Sequence, residues 1–368
     1  MRIHARAAAT ALLIAIIGAP GVGAAAAPPA GSAVGPAGSG MAEFAWAVVA
    51  EPTNPSYDPG FDYSRVPGSS TTVTRTSQGS WTITWDVNFP NPLANGGNVQ
   101  VSPLGNTPHR CWVQSWNADA QEIEAKVRCG NANTLYADTP FVVVWLMHLS
   151  PYNTYEGMRS GYAWMNLSES SGTPNAGYQA TSGGGTVTST RTGEGAYTVT
   201  MPGVEEAEHV VVSGWRTDTS TCRPTGWKAV GAALAAKVVC RQLGGDPSDQ
   251  LFTIFAARNV SVGAPQNGWA AYAVVRKPKL ATYRVAAADG FNNAGERITV
   301  RRVARGRWTV RFVGLPAGGA AVVSPLGGRA DCQVASLPRT GKDLRIGVRC
   351  FSPAGAPVDS PFVVSWGK

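Results

Sequence analysis

Six cysteines stand at 111 and 129, 222 and 240, and 332 and 350, three pairs each 18 residues apart. Two thiols can form a disulfide or hold a metal ion. A structural metal site wants four ligands, commonly as CxxC or with histidine. No CxxC occurs, and the four histidines (His4, His109, His148, His209) share no place relative to the cysteines. The spacing therefore points to disulfides Cys111–Cys129, Cys222–Cys240 and Cys332–Cys350. Each would close a loop of about 19 residues and contribute roughly 3 kcal/mol through the unfolded chain. No metal and no cofactor is expected.

Asp138, Asp249 and Asp359 each lie nine residues after the second cysteine of a pair. One carboxylate per unit, at a turn before a strand, suits a bond to backbone N–H groups better than acid–base catalysis. No serine sits in a GxSxG turn, no HExxH appears, and no glycine-rich loop opens a helix. Charge is the feature that does not recur. Residues 41–151 carry 5 Lys+Arg and 9 Asp+Glu, 152–264 carry 8 and 9, and 265–368 carry 16 and 5, so the excess of +11 sits in the last third. Within it, Arg301, Arg305, Arg307 and Arg311 stand where the first third has Thr74, Gln78, Ser80 and Thr84. Four added guanidinium groups could bind phosphates or carboxylates; the plainer alternative is a solvated edge that resists strand-to-strand aggregation. Alternation along the strand sends Arg301 and Arg311 away from the face bearing Trp308, Val310 and Phe312, with Arg305 and Arg307 at the turn. Arg302, by contrast, has counterparts in Arg75 and Arg191, which marks it as structural.

These residues must be held by a repeated scaffold. Successive cysteine pairs are displaced by 111 and then 110 residues. Around them recur Gly79, Gly195 and Gly306, each two residues before Trp81, Tyr197 or Trp308, and Phe141, Phe252 or Phe362 three residues after the aspartates. "VSPLG" occurs at 101–105 and 323–327, with "VSGWR" at 212–216. Short runs rich in Val, Thr and Trp alternate with polar residues between Gly, Pro and Asp, the pattern of half-buried strands. The reading is an all-β chain of three tandem antiparallel sandwich-like or barrel-like repeats, at 41–151, 152–264 and 265–368. A propeller with two blades per repeat is the alternative. The start of the chain reads as a signal peptide (1–27), with Arg2 and Arg6 before an apolar run, followed by a Gly/Pro/Ala leader (28–40). No later stretch is long and apolar enough to span a bilayer, which predicts a secreted, extracellular chain without a membrane span. "LPRTG" at 337–341 has the form of a sortase sorting signal, but it lies between Cys332 and Cys350, and cutting there would sever a repeat. The expectation is a coincidental match and a chain with no covalent link to the wall.

"GGNVQVSPLGNTPHRCWVQSW", "KVRC" and the closing D-x-x-F resemble the repeat of an uncharacterised family of secreted actinobacterial β-repeat proteins. The resemblance spans 41–368 and is clearest in the first and third copies; "GVEEAEHVVVSGW" departs from it in the second. It implies export and repeat architecture, and no activity.

The expected function is a non-enzymatic surface-interaction or envelope-associated role, with the third repeat binding an anionic envelope polymer or glycan. Export makes nucleic acid the poorer partner. Self-association of the basic third repeat with the acidic first is a variant of the same idea. The alternative is carbohydrate binding through exposed aromatics. Most of the 12 tryptophans keep a large apolar counterpart in another repeat, and Trp112 stands out because Arg223 and Gln333 replace it. An unrecognised extracellular hydrolase is the third reading.

Overall fold

The computed structural model describes residues 43–64, 69–87, 96–119, 121–131, 134–147, 158–216, 220–242, 244–262 and 268–368. The signal peptide and leader read at 1–27 and 28–40 lie outside the described residues, as do the junctions at 151/152 and 264/265.

The described residues are nearly all β. The first segment contributes β1 (Glu43–Val49), β2 (Ser56–Tyr57), β3 (Asp62–Ser64), β4 (Thr71–Ser77), β5 (Ser80–Asp86), β6 (Asn98–Pro103), β7 (Arg110–Ala118), β8 (Glu122–Gly130) and β9 (Phe141–Met147). The second contributes β10 (Arg159–Met165), β11 (Gln179–Thr181), β12 (Thr188–Gly193), β13 (Ala196–Pro202), β14 (His209–Trp215), β15 (Ser220–Val230), β16 (Ala233–Gln242) and β17 (Leu251–Arg258). The third contributes β18 (Ala270–Val275), β19 (Thr282–Arg284), β20 (Gly290–Asn292), β21 (Ile298–Ala304), β22 (Arg307–Phe312), β23 (Ala320–Pro325), β24 (Asp331–Ser336), β25 (Leu344–Phe351) and β26 (Phe362–Gly367).

Each segment folds these strands into an inner and an outer sheet. The inner sheets have one order, β3-β1-β9-β6, β11-β10-β17-β14 and β20-β18-β26-β23; the outer ones run β2-β4-β5-β8-β7, β12-β13-β16-β15 and β19-β21-β22-β25-β24. A parallel contact between Trp215 and Val113 joins the second inner sheet to the first outer one, so those two form one nine-stranded sheet. Outer strands alternate as a half-buried strand must: in β22, Trp308, Val310 and Phe312 point in, and Arg307, Thr309 and Arg311 point out. Inner strands read "FVVVWLM" or "HVVVSGW" and are buried along their whole length, because both faces are covered.

One face of each inner sheet packs on its own outer sheet. In the first segment Val143 and Trp145 of β9 share a core with Trp81, Ile83 and Trp85 of β5. The other face meets the remaining inner sheets: Trp46, Val144, Tyr162, Val211, Val274 and Val322 belong to one common core drawn from all three segments. Face-to-face sandwiches around a shared centre replace the propeller alternative, in which each repeat would supply two blades.

The repeated sequence signature builds one local knot, found three times. Arg75, Arg191 and Arg302 each donate through Nε (3.0 Å) and through Nη2 (2.8, 2.6 and 2.7 Å) to Asp138, Asp249 and Asp359. The same carboxylates accept the backbone N–H of Gly79, Gly195 and Gly306 at 2.8, 2.8 and 2.9 Å. Those glycines turn the β4–β5, β12–β13 and β21–β22 hairpins at φ +67°, +61° and +69°. A Cβ there would meet the backbone nitrogens of Ala137, Ser248 and Val358 at 2.6, 2.7 and 2.7 Å, so both the left-handed conformation and the close approach require glycine. Beneath the knot Trp81, Tyr197 and Trp308 pack on Phe141, Phe252 and Phe362, with ring centroids 5.1, 5.4 and 5.3 Å apart. D-x-x-F is thus one aspartate that closes a hairpin and one ring that fills the core below it.

The segments close on one another in a cycle. Within the hairpins β7–β8, β15–β16 and β24–β25 the register slips by one residue at Val113/Ser115, Pro224/Gly226 and Val334/Ser336. The slip takes a residue out of the ladder, and the carbonyl beside it is free to accept from a neighbouring segment. Arg216 N–H donates to Val113, Gly327 N–H to Pro224 and Gly105 N–H to Val334, each at 2.8 Å. Second binds first, third binds second, and first binds third.

Candidate functional site

The structure joins the three cysteine pairs as Cys111–Cys129, Cys222–Cys240 and Cys332–Cys350, with Cα atoms 4.1, 4.0 and 4.0 Å apart. Each bond spans directly paired residues of a hairpin.

The four arginines singled out in the third segment lie on the hairpin β21–β22. Arg301, Arg305 and Arg307 are exposed, and among the described residues none of the three makes an ion pair; Arg305 does help lower the Asp359 pKa. Arg311 differs from the expectation of a free cation. Its Nε and Nη2 donate to Asp343 at 3.2 and 2.5 Å, and Asp343 also accepts the Gly314 N–H at 3.0 Å. That backbone bond first, and then Arg311, holds the Asp343 carboxyl below its usual range. Strand alternation placed Arg311 on the outer face; the carboxylate comes from the loop before β25, which alternation says nothing about.

The same face carries cations outside the hairpin. Antiparallel register sets Arg284, Thr299, Arg311 and Arg345 in one row across four strands, then Thr282, Arg301, Thr309 and Gly347 in the next. Arg307 faces Arg349 in a third. Rows are about 6.8 Å apart along the strands and neighbours in a row about 4.8 Å apart. Arg284 and Arg345 are exposed, while Arg349 is half-buried and donates to the Asn106 carbonyl at 2.6 Å. Arg307 opposite Arg349 is a like-charge pair, which costs stability unless something anionic lies across it. In the first segment the corresponding rows read Thr72, Thr84 and Glu124; Ser56, Thr74, Thr82 and Lys126; and Ser80 opposite Arg128. Sequence reasoning missed Arg284, Arg345 and Arg349 because they are remote in the chain; the register between strands was the missing signal.

Trp112 is not a surface ring. It is 4% exposed and lines a space shared with Val212, Ser213 and Val323 of the other segments, so its ring is not free to stack on a sugar. Its counterparts Arg223 and Gln333 also sit between segments. Gln333 donates to the carbonyls of Gly105 and Thr107 at 2.8 Å and accepts the His109 N–H at 3.1 Å. Arg223, 2% exposed, donates to Asp331 at 3.0 Å and to the Ala330 carbonyl. The large exposed tryptophan is Trp269, at 42%.

"LPRTG" forms the connection between β24 and β25. Pro338 and Gly341 carbonyls accept from Gly318 and Ala317 at 2.9 and 3.2 Å, and the Arg339 guanidinium lies 5.2 Å from the Phe61 ring of the first segment. The loop borders an open cleft of about 420 Å³ with Lys342, Asp343 and Arg345. A cut after Thr340 would break the β24–β25 connection and leave the two strands joined only by their pairing and the Cys332–Cys350 bond.

Comparison with protein-family models, with curated proteins and with solved structures finds no match to this chain.

Proposed function

We propose that the protein is a secreted, non-enzymatic binding protein whose third segment holds an anionic polymer of the cell envelope on the outer face of its sheet. One observation carries this reading: three outer sheets share one scaffold, and the third bears Arg301, Arg307 and Arg345 where the first has Thr74, Ser80 and Glu124, with Arg284 and Arg349 on the same face. A grid of guanidinium groups with threonine hydroxyls between them suits a chain of phosphodiesters or sulfates, each group taking two or more donors. The role of Arg311 is to fix the Asp343 loop rather than to meet the ligand.

The test uses the full chain and copies the first segment onto the third: Arg301→Thr, Arg307→Ser and Arg345→Glu together. With polyphosphate as probe, the affinity of the parent should fall steeply with added salt, since binding releases condensed counterions. The triple variant should bind at least ~10-fold more weakly, three charge-assisted contacts being removed. Unfolding free energy should change by no more than ~0.5 kcal/mol per site, as these side chains are solvated. Equal binding by parent and variant would leave the arginines as a solvated sheet face and end the proposal.

A further inference from the structure

The hairpin ends carrying the three disulfides converge on one partly open cavity of about 60 Å³. Cys111, Cys222 and Cys332 line it, as do the residues just before them, Arg110, Thr221 and Asp331, so every segment contributes. Beside it lies a cluster in which charge does not balance. Arg110 donates to one oxygen of Asp331 (Nε 2.6 Å, Nη2 2.5 Å) and Arg223 to the other (3.0 Å). Two guanidinium groups thus share one carboxylate, with side chains only 12%, 2% and 14% exposed for Arg110, Arg223 and Asp331. Burial, chiefly, pushes the Arg223 pKa down; Asp331 opposes this, while Arg110 and Arg241 add to it. His109, also on the wall, is held low by burial and stays neutral at neutral pH. A buried surplus of positive charge is costly unless a counter-charge is near.

Hydrogen-bond donors point to the same conclusion independently. Trp112 and Ser220 both line the cavity, and their Nε1 and Oγ are buried with no partner among the described residues; the same holds for Arg223 Nε. An indole N–H can only donate. Buried donors of this kind are normally satisfied, and the cavity exceeds the ~10–15 Å³ that one water needs.

We propose that this cavity binds one small monovalent anion, of halide or formate size, held by the Trp112 and Ser220 donors beside the Arg110–Asp331–Arg223 cluster. The site exists only when all three segments are closed on one another, because its walls and charges come from all three. Anion binding and closure of the cycle are therefore linked, and the anion stabilises the closed form by mass action. This site is separate from the arginine face proposed above, and neither depends on the other.

Bromide is the probe. Crystals of the full chain grown in sodium bromide should show one anomalous scatterer in the cavity. In solution, replacing gluconate by bromide at constant ionic strength should raise the unfolding midpoint along a saturating curve. Trp112→Phe keeps a ring and removes the donor, and should weaken bromide binding at least ~10-fold by that curve. Should Trp112→Phe fail to fold, Ser220→Ala is read in the same way. Density without anomalous signal, meaning water only, would overturn the proposal. So would bromide confined to the surface arginines, or a midpoint that responds to bromide equally in parent and variant.

Discussion

Asp249→Ala is expected to lower the unfolding free energy by about 2–4 kcal/mol, read from urea denaturation monitored by tryptophan fluorescence. Four donors converge on this carboxylate: Arg191 through Nε and Nη2, the Gly195 N–H, and the Tyr197 hydroxyl at 3.1 Å. Arg191, the first cause, and the other donors hold its pKa down at about 2, against partial opposition from burial. Truncation leaves a guanidinium that is 31% exposed without its partner, and the hairpin turn without its acceptor. The Tyr197 hydroxyl still has the Ser168 carbonyl at 2.7 Å, which caps the loss. Asp249→Asn keeps an acceptor for Gly195 and loses the charge, so it should cost about half as much. An alanine variant within ~0.5 kcal/mol of the parent would show that the knot is decoration and that the rings below it hold the hairpin alone.

Acid should lower the stability of the protein over two pH windows, the first set by His209. This imidazole is fully buried between the second and third segments, where Nδ1 lies 2.9 Å from the Ala257 carbonyl and Nε2 3.2 Å from the Ser365 hydroxyl. It stacks on Tyr272 at 4.0 Å, whose hydroxyl donates to Glu208. Burial pushes its pKa down to about 3, from 6.5 in the unfolded chain. Between those values the unfolded state holds one more proton, so stability is present above about pH 6.5 and is lost as pH falls towards 3. The slope is about 1.4 kcal/mol per pH unit, or about 2 kcal/mol between pH 6 and 4.5. His109, also lowered by burial, adds in the same direction. The carboxylates act below this window. Asp138, Asp249 and Asp359 are lowered from 3.8, so their stabilisation is present above that value and lost as pH falls through the folded pKa. His209→Gln should flatten the upper window to the residue left by His109 and leave the lower one. A parent whose unfolding free energy is level from pH 6.5 to 4.5 would contradict this assignment.

The arrangement bears on how the three segments depend on one another. The third meets the first through groups more than 200 residues apart in the chain: Arg110 with Asp331, Gln333 with Thr107, and Arg349 with Asn106. The second and third share the His209 contact, and the first and second share Ser213, which donates to Gln100 at 2.9 Å and accepts the Val101 N–H at 3.0 Å. Polar groups buried at such junctions are satisfied only when the neighbouring segment is present, which favours one cooperative body over three independent domains.

The repeat, the strand character, the cysteine pairing and the backbone-binding role of Asp138, Asp249 and Asp359 were all legible in the amino-acid order. Each is a constraint on the scale of one hairpin, and threefold recurrence separates such constraints from chance. Arg302 could likewise be set apart from Arg301 because its counterparts Arg75 and Arg191 recur, and the structure gives each of the three the equivalent aspartate of its own segment, Asp138, Asp249 or Asp359. Tertiary structure decided the rest. Alternation along a strand tells which way a side chain leaves the sheet; it cannot tell what stands opposite. Trp112 and Arg311 both leave outward, yet one lines a space shared with the other segments and Asp343 neutralises the other. Arg110, Arg223 and Asp331 flank cysteines in three different segments, and nothing in their spacing announces that they share one buried cluster. They meet because the inner sheets have apolar residues on both faces, and burying the second face requires the three segments to close around a common core.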